Sequence, residues 1–125
     1  MINPIIKEDV KRIIDRLGSD VNKLKGKTIL ITGASGLIGS YIVETIAFLN
    51  SEKKFSPKCK ILGLQKSKVT KDSRLGYLLG RSDVEFISHD AANPYSPNSK
   101  IDYIVHSAGM SAPALFLDDP LGTID

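Results

Sequence analysis

The 125-residue sequence predicts an α/β protein, a parallel sheet flanked by helices, incomplete at about four strands and preceded by an extra N-terminal helix. Three observations predict it. Short runs of β-forming residues carry no polar alternation, as suits strands covered on both faces of a parallel sheet. Segments with apolar residues at helical spacing stand between them. A glycine-rich turn, Gly33 to Gly39, joins the first such strand directly to a helical segment.

Asn3-Pro4 is a helix start, a capping side chain followed by proline at the first helical position. Ile6, Val10, Ile13, Ile14 and Leu17 recur at helical spacing, and Gly18 closes the segment. Residues 1–25 therefore read as an amphipathic helix packed on the flank of a domain formed by 26–125. Lys27 to Thr32 reads as a buried strand. Leu37, Ile38, Tyr41, Ile42, Thr45, Ile46 and Leu49 predict a helix, and Asn50 to Lys58 a polar connection. Cys59 to Leu64 reads as a second strand, Lys71 to Leu79 as a helix ended by Gly80, Val84 to Ser88 as a third strand and Ile101 to Val105 as a fourth. This order implies right-handed crossovers.

Composition narrows the class. Hydrophobic residues make up 42% and charged residues 25%, ordinary values for a globular domain. No apolar run approaches the ~18 residues of a membrane span, and the N-terminus lacks the basic and apolar regions of a secretory signal. Cys59 is the only cysteine. It excludes an internal disulfide, gives no metal cluster and reads as a small core residue. A reducing cytoplasm is the expected location. Eight of the 17 basic residues lie between Lys53 and Arg74, where Asp72 is the only acid. That stripe matches no nucleic-acid motif and reads as a solvated face, so neither a nucleic-acid nor a membrane partner is expected. The closing Leu121-Gly-Thr-Ile-Asp125 has no helix stop, polar tail or turn cluster. The expectation is the N-terminal portion of a longer protein, or a chain that needs a partner, with a homo-oligomer left open.

The chemistry sits in Thr32-Gly33-Ala34-Ser35-Gly36-Leu37-Ile38-Gly39. Gly33 permits a sharp turn out of the strand. Gly36 lets backbone approach a pyrophosphate, and Gly39 lets the helix pack closely on the strand. N–H groups near Leu37 and Ile38 face such phosphates with the helix dipole behind them, and Ser35 can add a hydroxyl donor. A P-loop is excluded, since no Gly-Lys-Ser/Thr follows. The spacing, G-x-x-G-x-x-G after threonine, defines a Rossmann-like nucleotide site.

This Thr-Gly-x-x-Gly-x-x-Gly turn resembles that of the extended short-chain dehydrogenases/reductases, the NAD-dependent epimerase/dehydratase family, which includes nucleotide-sugar epimerases, dehydratases and UDP-glucuronate decarboxylase-like enzymes. His89-Asp90-Ala91 is similar to the family's stretch after the third strand, which implies that Asp90 contacts the adenine amino group beside Ala91. Asp102 to Gly109 resembles the fourth strand and its His-x-Ala-Ala segment, which implies cofactor contacts at Ser107, Ala108 and Gly109. Ser111-Ala112-Pro113 and Asp119 to Thr123 resemble decarboxylase-like and dehydratase-like members. The resemblance runs from Lys27 to Asp125 and implies NAD(P) as cofactor. It also implies a nucleotide sugar as substrate of the full enzyme, acting by transient hydride transfer to NAD(P)+.

The second strand ends Gly63-Leu64-Gln65-Lys66-Ser67, without the acid that usually binds the ribose 2′-hydroxyl in NAD sites. Gln65 can bond a hydroxyl, whereas Lys66 and Ser67 can receive a 2′-phosphate. The residues leave NAD and NADP open, and the resemblance favours NAD. No catalytic residue is assigned. The family's Tyr-x-x-x-Lys pair is not found: Tyr77 has Arg81 at the lysine position, and Tyr95 is followed by Lys100 one place too late. His106, at a strand end, reads as a structural histidine rather than a base. The alternative to an enzyme portion is a non-catalytic dinucleotide-binding module or regulatory protein.

Overall fold

The computed structural model describes residues 2–90, 93–97 and 100–107. Its helices are α1 (Pro4–Leu17) and α2 (Leu37–Ser51), and its strands are β1 (Thr28–Thr32), β2 (Lys60–Gln65), β3 (Val84–Ser88) and β4 (Tyr103–His106). The four strands form one parallel sheet in the order β3-β2-β1-β4. The predicted α/β architecture with its additional N-terminal helix is therefore present.

Each element follows from its residues. The Asn3 side chain accepts a hydrogen bond from the Ile5 N–H, Pro4 takes the first helical position, and Gly18 ends α1 at φ +56°. Val10 and Ile14 are buried with Phe48, Leu49 and Phe55, which clamps α1 onto α2. Each such burial contributes roughly 1.5–3 kcal/mol. Along β1 and β2, Ile29, Ile31 and Ile61 join Val43, Ile46 and Ala47 of α2 in the main core. Leu30, Leu62 and Leu64 point to the other face. Both faces of the central strands are apolar, which is why their sequence shows no alternation.

The predicted helix over Lys71 to Leu79 does not form. Only a short 3-10 turn, Gly76–Leu78, occurs there. Ser73 Oγ accepts from the Thr70 N–H at 3.1 Å and donates to the Thr70 carbonyl at 2.6 Å. A serine bonding locally in this way competes with a helix. Gly76 then lies so close to the preceding backbone that a Cβ there would meet the Thr70 carbonyl oxygen at 2.4 Å. The segment is held by polar anchors instead. Arg74 reaches Glu44 of α2 with Nε at 2.8 Å and Nη2 at 2.6 Å, and Tyr77 donates to Glu44 at 3.0 Å. Strand bounds shift from the expectation by up to two residues, and α2 runs two residues beyond Leu49.

Candidate functional site

The carboxyl ends of β1, β2 and β4 meet the start of α2, and the glycine turn lies between them. Gly33 adopts φ +66°, a conformation that costs any residue with a Cβ roughly 1–2 kcal/mol. The Gly36 N–H donates back to the Gly33 carbonyl at 3.0 Å, and the Ala34 N–H to the Leu64 carbonyl at 3.2 Å. The turn is thereby fastened to the end of β2. A Cβ on Gly39 would stand 2.2 Å from the Gly33 carbonyl oxygen, so α2 can start this close to β1 only with glycine there. Ser40 Oγ, inside the first turn of α2, donates to the Ala34 carbonyl at 3.1 Å. Sequence reasoning gave this serine no part, since its partner is a loop carbonyl that spacing does not reveal.

No side chain caps α2 at Gly36. Its first-turn N–H groups therefore remain directed at the mouth of the turn, with the helix dipole aligned behind them. Leu37 and Ile38 contribute through backbone alone. Their side chains, 70% and 49% exposed, turn away from the mouth and border an apolar groove of about 490 Å³ between α1 and α2. This groove is lined almost wholly by aliphatic side chains, without the charged groups that chemistry requires.

A smaller cavity of about 130 Å³ adjoins the turn, lined by Ser35, Ser40, Gln65, Lys68, Ser73 and Arg74 among others. Gln65 is 4% exposed, while Lys66 and Ser67 are exposed. The His89 N–H donates to the Gln65 carbonyl at 2.7 Å, so exposed Asp90 follows directly at the end of β3. Ser107, buried at 9% exposure, places its hydroxyl on the Thr32 and Gly33 carbonyls. Gly33, Ser35, Gly36, Gly39, Gln65 and Ser107 thus surround one end of the sheet. Ala91, Ala108 and Gly109, and with them Ser111 and the Asp119 to Thr123 stretch, lie outside the described residues.

Other titratable groups are committed elsewhere. His106 Nδ1 is hydrogen-bonded to Thr32 Oγ1 at 2.9 Å across the β1–β4 pair. Burial, reinforced by the Glu44 carboxylate, pushes the Tyr77 hydroxyl well above the usual phenol range, the opposite of what a proton-transferring tyrosine needs. Burial likewise pushes the Cys59 thiol up to about 11. Among the described residues, no group of His, Cys, Asp or Glu is placed to hold a metal ion, and no helix is long and apolar enough to cross a membrane.

The parallel sheet, the three-glycine turn and the uncapped helix start define a Rossmann-like nucleotide-binding fold. The family model described as the NAD dependent epimerase/dehydratase family matches residues 29–125, and the chain belongs to that family, which binds NAD(P). No curated protein and no solved structure matched the chain.

Proposed function

We propose that this chain is the dinucleotide-binding portion of an enzyme that epimerises, dehydrates or decarboxylates a nucleotide sugar. The observation that carries the proposal is the cradle between β1 and α2, where a Cβ on Gly39 would run into the Gly33 carbonyl oxygen. A backbone hollow that any side chain would disrupt, facing uncapped helix N–H groups, suits a pyrophosphate. Gly33, Ser35, Gly36, Gly39 and the N–H groups of Leu37 and Ile38 would hold it. Gln65 and Lys66 would border the adenosine ribose, Asp90 with Ala91 the adenine, and Ser107, Ala108 and Gly109 the nicotinamide half. When bound, the nicotinamide supplies reversible two-electron oxidation of a sugar carbon. The chain's own residues orient the dinucleotide along the sheet's carboxyl edge. The nucleotide sugar is supported by the resemblance of the Asp102 to Gly109 segment and the stretches after it.

Isothermal titration of the chain with NAD+ and NADP+ tests the binding. Micromolar to millimolar affinity for at least one is expected, and binding of neither would reject the proposal. A second reading, binding without catalysis, is favoured by the sequence, in which no tyrosine is followed four residues later by lysine. Because the hydride is returned within each turnover, incubation of nucleotide sugars with the loaded chain followed by mass spectrometry and NMR of the sugar separates the two. An altered sugar supports the enzyme, and dinucleotide binding with the sugar unchanged supports the module.

A further inference from the structure

Two connections meet at the amino edge of the sheet, and each brings lysines there. The Gly26 N–H donates to the Pro57 carbonyl at 3.0 Å, and the Lys60 N–H to the Lys27 carbonyl at 2.8 Å. The Lys25 ammonium lies 5.4 Å from the centre of the Phe55 ring. Lys25 and Lys27, ahead of β1, thus stand beside Lys53, Lys54 and Lys58, ahead of β2. All five are exposed, and none belongs to an ion pair among the described residues. Lys60 stands with them and donates to the Ser82 carbonyl at 3.4 Å. Glu52 is the only acid between positions 51 and 60.

The fold therefore splits the basic stripe read in the sequence. Lys66 follows β2, and Lys68 lines the cavity beside the glycine turn, at the carboxyl edge. Lys53, Lys54 and Lys58 go to the amino edge, where Lys25 and Lys27 join them from outside the stripe. The result is a positive face at the opposite end of the strands from the glycine turn.

We infer that this amino edge is a docking face for an anionic lipid surface. The residue types favour lipid over other anions. None of the six lysines lines any of the three cavities described above or beside α2, so the ammoniums form a face rather than a pocket for a small anion. All are lysines, hydrated point charges on flexible stems, which suit a diffuse layer of headgroups. Arginine would suit phosphates held in fixed register. A nucleic acid would also gain from stacking, yet Phe55, the aromatic residue here, is 6% exposed and lies beneath Lys25. Leu79, on the loop that reaches Lys60 through Ser82, is 42% exposed, and an apolar side chain beside lysines suits the headgroup boundary. Docking by this edge turns the glycine turn away from the bilayer, toward solvent.

Each lysine near an anionic leaflet contributes a factor of about five in affinity. Sedimentation of the whole chain with vesicles tests the inference, using phosphatidylcholine alone and phosphatidylcholine with about one-third phosphatidylserine. Binding is expected only to the anionic vesicles, and it should vanish in about 0.5 M salt. Joint replacement of Lys25→Gln, Lys27→Gln and Lys58→Gln should weaken it at least about tenfold. Lys11→Gln, Arg12→Gln and Arg16→Gln, the same change of charge on the exposed side of α1, should leave it within about threefold of wild type. Circular dichroism and a thermal melt establish that both variants are folded. Should the first not fold, the lipid and salt comparison on the wild type still decides. Equal sedimentation with both vesicles, none with either, or equal losses in the two variants overturns the inference. Tighter binding to a short DNA duplex than to the anionic vesicles, measured by fluorescence anisotropy, overturns it in favour of a nucleic acid.

Discussion

The α-carbon of Gly39 faces the carbonyl oxygen of Gly33 so closely that a Cβ would stand 2.2 Å from it. Backbone lies on both sides of this contact, so neither partner can rotate away. Gly39→Ala is expected to lower stability by about 1–3 kcal/mol through overpacking, and to weaken dinucleotide binding further by moving the start of α2. Urea denaturation and calorimetry measure the two effects. Gly80→Ala provides a contrast: its φ of +86° disfavours a side chain, but nothing surrounds its Cβ position, so it should lose stability without losing affinity.

Asn50 holds α2 to the sheet by three bonds. Its Nδ2 donates to the Cys59 carbonyl and to Asp83, both at 2.8 Å, and its Oδ1 accepts from the Cys59 N–H at 2.9 Å. Asn50→Ala removes all three and strands buried polar groups, a loss of about 1–3 kcal/mol for each group left unpaired. Chemical denaturation should show at least the lower figure. Ser51→Ala, on the exposed side of the same helix, should stay within about 0.5 kcal/mol of wild type.

The Glu44–Arg74 pair predicts a non-additive result. Glu44 is 1% exposed, so Arg74→Met leaves a buried carboxylate without its cation and should cost about 3–5 kcal/mol. Combining it with Glu44→Leu removes the stranded charge, and much of the loss should be regained. A double-mutant cycle from urea melts measures the coupling. Equal and additive losses would mean that the pair contributes nothing specific.

Asp83 ties stability to acid pH. Burial alone would raise its carboxyl, but hydrogen bonds from Arg81 and Asn50 together with the Arg81 charge outweigh this and hold it below the usual carboxylate range. Its contribution is therefore fully present above about pH 4, the unfolded value, and fades as the pH falls through the lower folded value. Denaturant midpoints between pH 7 and pH 2 should decline on the acid side. Asp83→Asn should start lower at pH 7 and decline less.

Cys59 is fully buried, and its thiol is pushed up to about 11. Neither access nor thiolate is available in the folded chain at pH 8. Alkylation by iodoacetamide, followed by mass spectrometry, should be negligible in buffer and complete in denaturing urea. Rapid labelling of the native chain would place Cys59 outside the core.

Much of the architecture was legible because its signals are local. Asn3, Pro4 and Gly18 mark α1 through capping chemistry, and the unbroken apolar runs at Ile29–Ile31 and Ile61–Leu64 mark strands covered on both faces. The glycine turn was legible because each glycine answers a backbone demand. The segment from Lys71 to Leu79 was not. Its apolar spacing suits a helix, but Ser73 bonds back to Thr70 and Gly76 packs against backbone, and both depend on shape rather than period. The acid within the apolar α2, Glu44, was the available hint that a cation would be drawn across it. The pairing of Gln65 with the Ser67 carbonyl, which leaves Oε1 unsatisfied, was likewise beyond sequence. It depends on where a loop carbonyl falls.

The hydroxyl of Ser107 braces the carbonyls of Thr32 and Gly33, residues more than seventy positions earlier in the chain. Contacts so distant in sequence form late, since the intervening chain must first be brought to order. During synthesis, α1, β1, α2 and β2 can assemble as soon as they emerge, but the glycine turn then lacks one wall. It receives that support only when β4 has emerged and taken its place beside β1. A nascent chain therefore holds the outline of the cradle well before β4 completes its wall, so the finished cradle depends on β4 as much as on the glycines themselves.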